Sequence, residues 1–167
     1  MSIERDFKTG EIGEEITLSL LENNKSISEI IDVRKDKKYQ KWDIDFVIKK
    51  DDKDIKLEVK TDALAFRTKN IVYETYSNTK YNSIGCFEKT RANYILYYVL
   101  YTNVLYIIDI KKFRLRIYSH KAGELEERQM GNHTKGYVFS LNELEQHDFM
   151  KRVELDFRIE RKWLYVL

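Results

Sequence analysis

Asp43, Asp45, Glu58 and Lys60 lie in one short stretch, Trp42 to Asp62 (WDIDFVIKKDDKDIKLEVKTD). Their types suit metal-assisted chemistry at phosphorus. Carboxylate oxygens match the hard Mg²⁺ ion, which keeps several waters that substrate phosphates can displace. A lysine two residues after the glutamate stands beside such an ion, where it can hold or activate a water for attack on phosphorus. Burying this much charge is costly unless the groups are paired or bind a metal. The reaction these residues suggest is hydrolysis of a phosphodiester.

Two strands must position them. Asp43 to Ile48 and Ile55 to Lys60 are rich in β-branched and aromatic residues, and the charged run Lys49 to Asp54 between them is turn-prone. Alternate side chains share a face in a strand. Asp43, Asp45 and Val47 therefore point together, and Glu58 and Lys60 point together on the neighbouring strand. The spacing predicts a hairpin with two acids and a lysine converging at one end.

Asp45 followed by Glu58-Val59-Lys60 resembles the core motif of the PD-(D/E)xK nuclease superfamily, which includes restriction endonucleases and archaeal-type Holliday junction resolvases. Gly10-x-x-Gly13-Glu14, opening an apolar helix, resembles the helix that carries a glutamate in the same families. The chain departs from the pattern in having no proline before Asp45, since it contains none. The segment YETYSN with GCFEKTRANYILYYV is also similar to phage and plasmid members, with Cys86 and Asn93 where tryptophan and aspartate are expected, so roles carried by those two side chains do not transfer.

The resemblance implies an α/β fold with a restriction endonuclease-like core, a mixed central β-sheet flanked by helices. It implies Glu14, Asp45, Glu58 and Lys60 as catalytic residues. Asp45, Glu58 and the main-chain carbonyl of Val59 would bind Mg²⁺, with Mn²⁺ as a substitute. Lys60 would orient the attacking water, and Glu14 would complete the shell or recruit a second ion. Resemblance to resolvases further implies a homodimer acting on branched DNA, with the tyrosine-rich apolar segments as its interface.

The 167 residues suit a single domain, 1–167, of ordinary globular composition, 43% hydrophobic and 35% charged. A formal net charge of +2 gives no general basic field, so any phosphate-binding surface must be local. One cysteine, Cys86, excludes an intrachain disulfide and cysteine metal clusters. The charged N-terminus does not read as a secretory signal, and the longest apolar run, Tyr94 to Tyr101, is too short for a bilayer. The expectation is a cytoplasmic protein of a bacterial or phage-infected cell, with no membrane partner.

Around the hairpin, residues 10–23 read as an amphipathic helix with Thr9 as N-cap, its early turns holding Glu11, Glu14 and Glu15. A strand is expected near 29–34. It leads into a basic run, Arg34, Lys35, Lys37, Lys38 and Lys41, interleaved with Tyr39 and Trp42, where the cations could hold phosphates while the aromatics pack on sugars or bases. Arg67, Lys89 and Arg91 are further DNA-contact candidates, and the alternative for the run, Lys89 and Arg91 is a solvated charged face.

Asn70 to Ser77 alternates as a strand, expected beside Glu58, with Glu74 either a further acid of the site or a lysine's partner. Residues 93–101 and 104–109 read as a buried hairpin turning at Thr102-Asn103. Lys111 to His120 reads as a helix ending near Ala122-Gly123. Arg128 to Lys135 reads as a loop, Gly136 to Leu141 as a strand, Asn142 onward as a short helix, and Val153 to Leu167 as a terminal element docking Phe157, Trp163 and Leu164. His120, His133 and His147 have no partners at metal spacing and read as plain surface histidines.

The leading functional reading is a Mg²⁺-dependent DNA endonuclease, structure-selective in the manner of a junction resolvase, because no separate recognition domain is present. The alternatives are a small restriction-type endonuclease and a catalytically inactive nuclease-fold protein that binds nucleic acid or regulates.

Overall fold

The computed structural model describes residues 3–120, 124–130 and 133–155, the first five of these by their backbone alone. It is a mixed α/β structure built on two sheets. The chain begins with helix α1 (Ile3–Glu22), strand β1 (Glu29–Asp32) and the short helix α2 (Lys37–Gln40), then the hairpin β2 (Phe46–Lys50) and β3 (Lys53–Asp62). α3 (Ala65–Thr68), β4 (Asn70–Asn78), a 3-10 turn, β5 (Ser83–Ile84) and α4 (Cys86–Lys89) follow. β6 (Tyr94–Val99), β7 (Val104–Asp109), α5 (Ile110–Tyr118), β8 (Arg128–Met130), β9 (Thr134–Ser140), α6 (Leu141–Leu144) and β10 (Met150–Glu154) complete it.

The larger sheet runs β1-β2-β3-β6-β7-β10. All its neighbours are antiparallel except β3 and β6, which pair in parallel from Leu57–Tyr94 to Asp62–Val99. A parallel pair needs a long crossover. Here the crossover carries β4 and β5, half of the second sheet, whose order is β5-β4-β9-β8.

One face of the large sheet lies under α1. Ile16 is buried there with Phe46, Leu57, Val59, Leu96 and Leu105, and Ile12 and Leu20 pack against the same cluster. The helix comes close because position 13 is glycine: a Cβ there would stand 1.8 Å from Thr61 Oγ1 on β3. The opposite face, with Ile95, Tyr97, Val99 and Tyr106, packs against Phe113 and Ile117 of α5 and against Ile71, Tyr73 and Phe139 of the small sheet. Phe113 sits at the centre, with the rings of Tyr73, Phe87, Phe139 and Phe149 5.0–5.9 Å away. The catalytic-strand candidates therefore lie on a sheet covered on both faces.

Several expectations are corrected. α1 starts near Ile3, so Thr9 is inside the helix and does not cap it, and Glu11, Glu14 and Glu15 are in mid-helix. β2 begins at Phe46 and β3 extends to Lys53, which shrinks the connection to Asp51-Asp52, both with positive φ (50° and 58°). β4 joins the second sheet with β9 instead of lying beside Glu58, because the crossover lifts it off the first sheet. The β6–β7 turn runs from Leu100 to Asn103, with Tyr101 at φ 66°.

The stretch read as a loop, Arg128 to Lys135, contains β8 (Arg128–Met130) and the start of β9, which pair with each other, while the strand read from Gly136 is the rest of β9. Of the tyrosines of β6 and β7, Tyr97, Tyr98 and Tyr106 are buried in the core, while Tyr94 is partly exposed. α5 ends at Tyr118 with Ser119 as C-cap, and Ala122-Gly123 lies outside the described residues. β10 ends at Glu154, and Phe157, Trp163 and Leu164 also lie outside them. No helix among the described residues is long and apolar enough to cross a membrane.

Candidate functional site

The β2–β3 ladder ends at Phe46–Leu57. Just before it the chain bends: Asp43 has φ 46°, and the Ile44 amide donates to Tyr39 O instead of to β3. Asp45 is the last contact, its amide donating to Leu57 O at 2.8 Å. The Val59 amide, left without a ladder acceptor, donates to Asp45 Oδ2 at 2.7 Å. In a strand the N–H and C=O of one residue point to the same side, so the Val59 carbonyl faces the same fork.

Leu57 and Val59 face α1, which sends Glu58 and Lys60 to the other face. Glu58 is buried, 7% exposed, and its carboxyl lies close enough to that of Asp45 for each to influence the other's ionisation. Burial first, and then the Asp45 charge, push Glu58 well above the usual carboxylate range. Burial likewise pushes Asp45 up to about 6, opposed by the Val59 amide and aided by the charge of Glu14. The two carboxyls titrate as a pair.

Lys60 stands beside them and is held above its ordinary range. Its largest partner is Cys86, followed by Glu58, Glu74 and Asp43. Burial pushes the Cys86 thiol up to about 12, so near neutral pH it carries no charge and the ammonium faces the carboxyl groups. Glu74 is itself raised by burial, with Lys60 pulling it down and Asp62 pushing it up. Glu74 and Lys60 line one cleft between the two sheets. Gly85 lets the chain entering α4 lie close against β4, since a Cβ there would lie 2.2 Å from Glu74 O.

Lys60, Asp62, Glu74, Cys86 and Tyr97 line a cleft of ≈ 700 Å³ between the sheets, with Asp45 and Glu58 outside its lining. The Tyr97 hydroxyl donates to Asp62 Oδ2, and Asp62 Oδ1 accepts from the amides of Leu64 and Ala65 at 2.6 and 2.9 Å.

Glu14 reaches the site through its charge on Asp45, while Arg34 holds its carboxylate. Arg34 Nη1 lies 3.1 Å from Glu14 Oε2 and 2.8 Å from Glu15 Oε1, and Nη2 lies 2.6 Å from Asp32 Oδ2. The guanidinium rests 5.0 Å from the ring centre of Phe46, the residue after Asp45.

Among the basic candidates, Lys35, Lys37, Lys38 and Lys41 are exposed on and around α2, and Arg67 is exposed on α3. Lys89 pairs with Asp43 at 2.7 Å, and Arg91 lies over Trp42. Asn93 holds β6 to β3: its Oδ1 accepts from the Lys56 amide and its own amide donates to Lys56 O, both at 2.8 Å.

The structure thus brings Asp45, Glu58, Lys60 and Glu14 together, and adds Asp43, Arg34, Glu74 and Tyr97. The alternation of Asp43 with Asp45 signalled the first of these. Arg34 stood inside a basic run that hid its acidic partners, and nothing in the spacing marked Tyr97.

The donors able to hold a hard divalent cation are the carboxyls of Asp45 and Glu58 and the Val59 carbonyl. Among the described residues no group of three or more His, Cys, Asp or Glu side chains is arranged to hold a metal ion. Compared with family models, curated proteins and solved structures, the chain matches none.

Proposed function

We propose that this mixed α/β chain has a restriction endonuclease-like fold of the PD-(D/E)xK type and is a Mg²⁺-dependent endodeoxyribonuclease. It hydrolyses DNA phosphodiester bonds, prefers branched DNA, works as a homodimer and acts in the cytoplasm. The observation that carries the reading is the meeting of half-buried Asp45, which accepts from the Val59 amide, with buried Glu58 on the neighbouring strand and Lys60 beside them. Helix with Glu14, strand edge with Asp45, hairpin and Glu58-Val59-Lys60 follow one another as the motif requires.

The donor set fits the ion. Two close carboxyls, both raised chiefly by burial, favour a divalent cation as their counter-charge, and oxygen donors are what Mg²⁺ takes. Asp45, Glu58 and the Val59 carbonyl would hold Mg²⁺, which would supply Lewis-acid polarisation and a more acidic water. The chain's own groups do the rest. Lys60, charged at every relevant pH, orients the attacking water and offsets negative charge that grows on the phosphoryl oxygens. Glu74 and Asp43 add negative charge around the ammonium, and Arg34 holds Glu14 at the edge of the acid pair.

A second reading, a nuclease-fold protein that binds nucleic acid without cutting it, is favoured by the position of Asp45 and Glu58 outside the cleft lining. Cleavage of labelled four-way junction, linear duplex and single-stranded DNA in Mg²⁺, Mn²⁺ or EDTA separates the two. The nuclease reading expects metal-dependent products, most from the junction, and none from Asp45→Asn or Glu58→Gln. DNA binding with no product from any substrate supports the scaffold.

A further inference from the structure

Two segments far apart in sequence meet next to Asp43. The first is the stretch around α2, with Lys35, Lys37, Lys38 and Lys41. The second is the turn after α4, with Lys89 and Arg91. Three contacts tie them: the Arg91 amide donates to Trp42 O at 2.9 Å, Thr90 Oγ1 donates to Asp43 O at 2.7 Å, and Lys89 Nζ pairs with Asp43 Oδ1. Beneath them Val33, Ile44, Val47 and Ala92 form a separate small core, against which Tyr39 and Trp42 pack. The surface is therefore a rigid platform and not a pair of loose loops.

Trp42 organises the charges on it. Lys38 Nζ lies 5.4 Å and Arg91 Cζ 5.0 Å from the indole centre, within cation–π range. Lys38 also lies 5.6 Å from the Tyr39 ring, which meets Trp42 edge to face. An indole that already seats a lysine and an arginine is a base for cations. It is not a free platform for stacking nucleobases, which revises the expectation that these aromatics pack on bases. Holding the two cations in advance also lowers the ordering cost of binding.

We infer that this platform is a nucleic-acid docking surface that reads backbone phosphates and not bases, delivering the strand to Asp45. The inference rests on the nuclease reading for the purpose of that delivery, while the binding itself stands apart from cleavage. The chain carries a formal net charge of only +2, so this local concentration of six exposed cations is what attracts a polyanion. Binding of this kind is salt-sensitive, falling with a log–log slope of about −0.9 per phosphate neutralised, and indifferent to sequence.

The test is fluorescence anisotropy of labelled DNA duplexes of unrelated sequence, in EDTA, across a salt series. Wild type should bind all duplexes alike. Lys38→Ala and Arg91→Ala should each weaken binding several-fold and reduce the salt slope by about 1. Trp42→Leu should weaken binding by at least as much as either, Trp42→Phe should retain most of it, and Lys25→Ala, on an exposed turn elsewhere, should change nothing. Thermal melts of each variant separate lost folding from lost contact.

Folded Lys38→Ala and Arg91→Ala variants that bind with wild-type affinity and slope overturn the inference, as does a hundredfold preference for one sequence. Because EDTA prevents cutting, a protein that binds as described but never cleaves in Mg²⁺ rejects the nuclease reading and leaves this surface standing.

Discussion

The acid pair governs how stability depends on pH. Asp45 ionises at about 6 in the folded protein against 3.8 in an ordinary carboxyl, and Glu58 is raised further. The folded state therefore holds these protons more tightly than the unfolded chain. For Asp45 that stability is fully present below about pH 3.8 and is lost as pH rises through about 6, at a cost on the order of 2–3 kcal/mol. Metal-free Asp45→Asn should accordingly melt above wild type at pH 8, with the gap closing towards pH 4. Mg²⁺ should raise the melting temperature of wild type at pH 8 and do little at pH 5, where protons compete for the same oxygens. A wild-type protein that gains stability on going from pH 5 to pH 8 without metal, by an amount that Asp45→Asn abolishes, contradicts this account of the pair.

At the scale of elements, the site depends on a hairpin and on a helix pressed against it. The hairpin turn holds Asp51 and Asp52 at φ 50° and 58°, the twist that two-residue hairpins favour and that Asn-Gly meets with least strain. Replacing Asp51-Asp52 by Asn-Gly should stabilise the fold by about 0.5–1 kcal/mol in urea unfolding, with cleavage unchanged. Gly13→Ala should do the reverse, costing about 1–3 kcal/mol, because the new methyl meets Thr61 on β3. Thr61→Ala in the same chain should recover part of that loss; full additivity of the two would mean the helix does not rest on β3 there.

The hairpin was legible in the sequence because charges and alternating apolar residues mark it. Its exact turn was not, since DDKD allows several registers. The second sheet was illegible for a physical reason: β4 alternates as well as any strand, but alternation names a face and not a partner. Only the crossover shows that Glu74 lines one cleft with Lys60 from the opposite sheet. Thr9 misled as a cap because helix propensity continues through residues that look like a start.

For the molecule as a whole, the account joins a buried acid pair, a lysine and a cation platform on one side of a mixed sheet. For the proposed homodimer, Tyr76, Tyr81 and Ile84, exposed together on the β4–β5 hairpin, are one candidate apolar contact among the described residues. If they form the contact, Tyr81→Ser with Ile84→Ser should lower the mass measured by light scattering from dimer to monomer; an unchanged dimer places the interface elsewhere. The central claim is that Lys60 and the acid pair cut DNA. It is tested most directly by the Mg²⁺-dependent cleavage rate of a labelled four-way junction by wild type and by Lys60→Ala, each shown to be folded. The account predicts metal-dependent products from wild type and a rate lower by about 10²–10⁴-fold in the variant. Equal rates from the two proteins would contradict it.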